Sequence, residues 1–104
     1  MSPYGLAPHT EEGRARFVHV SFYWSRGTPK TTELEDPVFS VAIDWIRYNS
    51  NCWILYTTTG PEWWYERIRH YMNTSDRVFI CEISVSETAG WQEQWIWDWL
   101  SKPR

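Results

Sequence analysis

The sequence predicts a single α+β domain, a small sheet with helices laid against it. Three observations carry this. Residues 17–24 alternate with period two, residues 36–47 and 61–72 have helical periodicity, and strand-length apolar segments at 52–56 and 77–83 follow them. With 104 residues, 42% hydrophobic and 22% charged, the chain has the make-up of one globular domain.

Residues 1–16 are polar, with Pro3, Pro8, Gly5 and Gly13, and are expected to form a flexible arm ahead of a domain at 17–104. In the first strand Val18, Val20, Phe22 and Trp24 take one side, and Phe17, His19, Ser21 and Tyr23 the other. A polar loop with Gly27 and Pro29 follows. Asp36 and Pro37 resemble a helix start, because an Asp side chain accepts from free N–H groups and proline's missing donor costs nothing in a first turn. At 100° per residue Ser40, Asp44 and Arg47 then form one narrow polar face, and apolar side chains take the rest. A competing reading makes 43–48 a strand, joined by Asn49, Ser50 and Asn51 to the next one.

Residues 52–56 are apolar almost throughout, as a strand covered on both faces would be. Thr59 to Glu62 resembles a capping box with Pro61 in the first turn. Trp64, Tyr65, Ile68, Tyr71 and Met72 share one face of the helix it opens. Residues 73–76 close that helix. In the third strand Phe79, Cys81 and Ile83 oppose Val78, Ile80 and Glu82. The last helix is expected over 91–101, with Trp91, Trp95, Trp99, Ile96 and Leu100 on one half and Trp97 alone on the other. Helices between strands place two of them on one face of a three- or four-stranded sheet. The opposite face, carrying Phe17, His19, Tyr23, Ile80 and Glu82, is too apolar to stay wet, and needs the last helix, a second copy or a partner over it.

The net charge of -3 argues against a whole-surface attraction to nucleic acid or anionic lipid. No stretch of about 18 apolar residues exists to cross a bilayer, and the N-terminus lacks the apolar middle of a secretion signal. Cys52 and Cys81 read as reduced small hydrophobes of a cytoplasmic protein, with a disulfide between neighbouring strands as the alternative. The three histidines are scattered and no metal-ligand spacing is present, so no metal or cofactor is expected. His19 beside Glu82 would make an oriented general base if the first and third strands paired. The bland reading, a histidine satisfied on a half-open sheet, is preferred. Arg67, Arg69, His70 and Arg77, interleaved with Trp63 and Tyr65, form the one basic cluster and are the candidate nucleic-acid contacts. Glu62, Glu66 and Asp76 in the same stretch favour a solvated, ion-paired helix instead.

Nine tryptophans are the chief anomaly. Each buries on the order of 200 Å². Trp24, Trp45, Trp53 and Trp64 have apolar faces to join. Trp63, Trp97 and part of the stripe of Trp91, Trp95 and Trp99 exceed what one small core hides, and tryptophan is enriched at protein interfaces. These five, with His19 and Tyr23, are the candidate partner-binding residues, and a partner's backbone would accept from their indole N–H groups.

Residues 51–57, Ile68 and Arg69, residues 75–83 and the closing Trp97, Asp98, Trp99 and Leu100 resemble small bacterial SinR-like proteins, relatives of the CRISPR-associated ferredoxin-fold nucleases. The resemblance covers about half the chain, mostly core strands. It implies a ferredoxin-like sandwich and a homodimer built on the sheet. The nuclease relatives end their first strand on a metal-holding acid. Tyr23 stands there, and a tyrosine offers no hard anionic oxygen near neutral pH, so the resemblance implies loss of that activity. The expectation is a non-enzymatic binding or regulatory homodimer acting through aromatic surfaces, with a role in bacterial or phage defence in view. A nucleic-acid-binding or degenerate nuclease-like protein is the alternative.

Overall fold

A computed structural model describes residues 13–104; residues 1–12, the greater part of the expected arm, lie outside the described residues. Four strands form one antiparallel sheet in the order β2-β3-β1-β4: β1 (Arg16–Tyr23), β2 (Asp44–Asn49), β3 (Cys52–Thr57) and β4 (Arg77–Ile83). Among the described residues the helices are α1 (Thr31–Glu35), α2 (Pro61–Ile68) and α3 (Gln94–Ser101), with short 3-10 turns at Phe39–Val41, Arg69–Tyr71 and Val85–Glu87.

The alternation in β1 divides the molecule into three layers. Val18, Val20 and Phe22 face one side with Trp53 and Leu55 of β3. Leu34 of α1, Val38, Phe39, and Trp64 and Ile68 of α2 close over them. Phe17 and its neighbours Ile54 and Ile83 face the other side, where Ile96 and Leu100 of α3 cover them. The last helix therefore lies on its own sheet and covers much of the face that needed a cover. β3 is buried on both faces, as its unbroken apolar run predicts.

The expected helix over 36–47 does not form. The bonds of α1 run on past Glu35, from the Asp36 N–H to the Thr32 carbonyl at 3.4 Å and, across Pro37, from the Val38 N–H to the Leu34 carbonyl at 3.0 Å, and no further i to i−4 bond follows. One 3-10 turn later the backbone is extended at Ala42, and β2 begins at Asp44. A strand sends Trp45 to the α1/α2 core and Ile46 to the α3 side, so each apolar side chain meets a core. Asn49 closes the hairpin by accepting from the Asn51 N–H at 2.8 Å.

The capping box is also corrected. Gly60, not Thr59, precedes α2 and no side chain caps it; the Thr59 hydroxyl instead meets that of Thr57 at 2.9 Å. Pro61 opens α2, and three residues of 3-10 turn extend it to Tyr71. α3 is eight residues, three fewer than the helix expected over 91–101.

Candidate binding surface

The catalytic pair read from the sequence is taken apart by register. His19 lies opposite Cys81 and Val18 opposite Glu82, so His19 and Glu82 project from opposite faces of the sheet. Glu82 is taken by Arg14 at 2.9 Å and Arg16 at 3.7 Å. His19 shares a hydrogen bond with the Tyr48 hydroxyl. Burial lowers the His19 pKa and keeps the ring neutral. Burial, and then the neighbouring Cys52, push Tyr48 up to about 12, so its hydroxyl keeps its proton. This pair is a satisfied polar contact, not an activated base.

Cys52 and Cys81 are free. They sit on β3 and β4, with β1 between, so two strand spacings of about 4.8 Å each separate them, too far for a disulfide. Among the described residues no group of three His, Cys, Asp or Glu could hold a metal ion.

The basic cluster is dispersed. Arg67 lies over the Trp63 ring at 4.7 Å, and Arg69 pairs with Glu66 at 3.1 Å, one helical step away. His70 is exposed on the 3-10 turn. Arg77 projects from the other face of the sheet, beside Tyr23, with its guanidinium 5.8 Å from that ring.

Most of the tryptophans find homes inside the chain. Trp24, Trp53 and Trp64 are buried, and Trp45 and Trp63 pack against the same core. Trp97 and Trp99 pack beneath α3, so Trp97 does not stand apart from the apolar side of its helix. Of the five tryptophans expected to need a partner's acceptors, Trp99 finds one inside, donating to Asp44 at 2.9 Å; in the core Trp53 donates to Glu35 at 2.8 Å and Trp24 to the Ser50 carbonyl at 3.3 Å. Of the five candidate partner-binding tryptophans only Trp91, 97% exposed, and Trp95, 47% exposed, stay largely wet.

An exposed aromatic patch lies where the sequence marked only Tyr23. Ser21 faces Phe79 and Tyr23 faces Arg77 across the β1–β4 ladder. Tyr23 and Phe79 are therefore diagonal neighbours on one face, within reach of each other. They are 56% and 66% exposed and stand outside the cluster that α3 covers. Phe79 was legible as one side of an alternating strand, but nothing local distinguished the covered end of that face from the open one.

The patch adjoins the β4 edge of the sheet. Among the described residues β4 pairs only with β1, in an unbroken register from Arg77 to Ile83. Between Arg77 and Glu82 its residues are Val78, Phe79, Ile80 and Cys81. The other edge, β2, carries Asp44 and Arg47 and breaks register between Arg47 and Asn49. Charges and bulges are the usual means of blunting an edge against further pairing, and β4 has neither in its middle.

No family model, curated protein or solved structure matches this chain.

Proposed function

We propose that this protein is a non-enzymatic binding or regulatory protein that works as a homodimer, joined along β4 with the Tyr23–Phe79 patch at the seam. The observation that carries this is the contrast between the two sheet edges. β2 is charged and bulged, while β4 is regular, apolar in its middle and carries an exposed phenylalanine there. A two-fold antiparallel pairing that uses all seven residues sets Ile80 against its copy, Phe79 against Cys81 and Val78 against Glu82. No like charges oppose one another in it.

The order β2-β3-β1-β4, with α1 and α2 on one face, supports the ferredoxin-like reading and so lends weight to the SinR-like resemblance. That resemblance implies a homodimer built on the sheet, and since α3 occupies much of one sheet face and α1 and α2 the other, the pairing is placed at the edge. The cytoplasmic setting and the role in bacterial or phage defence rest on the reduced cysteines and on the resemblance. No helix among the described residues is long and apolar enough to cross a membrane.

Light scattering on the purified chain tests this. The expected result is a dimer that persists as salt is raised, and a monomer of nearly unchanged melting temperature on Phe79→Asp. A monomeric wild type overturns the proposal. So does salt-sensitive retention on a nucleic-acid column that Arg67→Ala with Arg69→Ala abolishes, since that pattern belongs to phosphate binding.

A further inference from the structure

Arg104 folds back from the end of α3 into a site built like a receptor for cations. Its guanidinium carbon stands 4.6 Å from the Tyr56 ring, 4.6 Å from the Trp99 ring and 5.5 Å from the Phe17 ring. Nη1 donates to Asp44 Oδ2 at 3.2 Å, and Nη2 donates to the Trp99 carbonyl at 2.8 Å. The side chain is only 12% exposed. Three aromatic faces, a carboxylate and a carbonyl from the negative end of a helix each favour positive charge, and here they converge on one point.

The walls hold without the occupant. Phe17 and Tyr56 are cross-strand neighbours with ring centroids 5.0 Å apart, and Phe17 meets Trp99 edge-on at 5.6 Å. Asp44 is fixed by the Trp45 N–H at 2.9 Å and the Trp99 indole at 2.9 Å, with Lys102 Nζ at 3.9 Å. Arg104 itself reaches the site on a short exposed segment. Its last backbone hydrogen bond is from the Lys102 N–H to the Trp99 carbonyl, and residues 101–103 are exposed. The occupant is loosely tethered to a rigid cage.

We infer that Phe17, Tyr56, Trp99 and Asp44 form an exchangeable guanidinium site, held shut by Arg104, that accepts an arginine side chain of a partner protein in its place. The planar cation can lie on the rings while its fork meets Asp44, which a lysine ammonium cannot match. A tether of this length gives Arg104 an effective concentration in the mM range. Release of Arg104 therefore sets how strongly a partner's arginine binds.

The test uses full-length Arg104→Ala and N-acetyl-arginine amide, with the neutral N-acetyl-citrulline amide as control, followed by the NMR signal of the Trp99 indole N–H and by tryptophan fluorescence. Saturable binding of the arginine probe is expected, at least tenfold tighter than citrulline, and at least tenfold tighter than the wild type binds the same probe. Adding Asp44→Asn to Arg104→Ala is expected to cut the preference for arginine over citrulline at least fivefold. Should Arg104→Ala undock α3, the arginine probe is expected to raise the melting temperature toward wild type and citrulline is not. Equal binding of the two probes, absence of binding or rescue, or a wild type whose Trp99 signal never responds to excess arginine probe overturns the inference.

Discussion

Single residues decide how this chain closes. Asp76 is buried at 8% exposure and accepts from the Ser25 N–H at 2.8 Å, the Ser25 hydroxyl at 2.7 Å and the Asn73 N–H at 2.8 Å, with Lys30 at 3.8 Å. Those bonds tie the loop after β1 to the turn before β4. Burial alone would raise its pKa, but the hydrogen bonds from Ser25 and Asn73 and the charge of Lys30 outweigh it and hold the carboxyl below 3.8. A carboxyl with a lowered folded pKa stabilises above its unfolded value, and that stability is lost as pH falls through the folded one. Asp76→Asn is therefore expected to cost about 1.5–3 kcal/mol in neutral denaturant titrations. The gap to wild type should narrow as pH falls below 3.8. A second pair of residues isolates the worth of one donor. Trp53 and Trp64 are both fully buried, but Trp53 donates to Glu35 while the Trp64 indole N–H has no partner. Phenylalanine at either site leaves a similar void. Trp53→Phe is thus expected to destabilise by about 1–3 kcal/mol more than Trp64→Phe, since only the former breaks a buried hydrogen bond. Equal melting temperatures for the two variants would show that the orphan donor costs nothing.

Elements were legible where one face of them had a single destination. β1 and β4 alternate cleanly, β3 is apolar on both sides, and all three form within a residue or so of expectation. The stretch from Asp36 to Arg47 was not, because its helical polar face at Ser40, Asp44 and Arg47 is equally compatible with a turn followed by a strand. The edge of β3 that β2 fills decides between them, and that is a tertiary fact. The same limit applies to α3. Its sequence shows apolar residues nearly all round, so periodicity gave Trp97 no companion, whereas docking turns it onto the cluster with Ile96, Leu100 and Val85. Trp97 is thereby part of what fixes α3 to the sheet. Trp97→Ala is expected to lower the melting temperature, on the scale of about 3–5 kcal/mol for a fully buried ring and less for this half-buried one. Its oligomeric state by light scattering is expected to be that of wild type. A dissociated but equally stable variant would return Trp97 to the interface.

At the scale of the whole molecule the tryptophan excess is largely spent indoors, on two cores separated by one sheet. What stays outside is unevenly spread: one sheet edge is protected by charge and a register break, and the other, beside Tyr23 and Phe79, has no further strand among the described residues. Pairing two copies along β4 would extend the sheet from four strands to eight and bring Phe79 opposite Cys81 of the other copy. Directly opposed residues of antiparallel strands have Cα atoms about 4.5–5.5 Å apart, within the span of a disulfide. Within one chain Cys81 has no such neighbour, since Cys52 lies two strands away. Phe79→Cys is therefore expected to form a disulfide-linked dimer under mild oxidation, seen as a doubled mass on non-reducing gels. Cys81→Ser in the same background should abolish it, and Cys52→Ser should not. Crosslinking that survives Cys81→Ser would mean that residue 79 meets its own copy, a register shifted from the one that pairs all seven residues. A Phe79→Cys chain that stays monomeric under oxidant would leave β4 unpaired and remove the edge from the account of what this protein does.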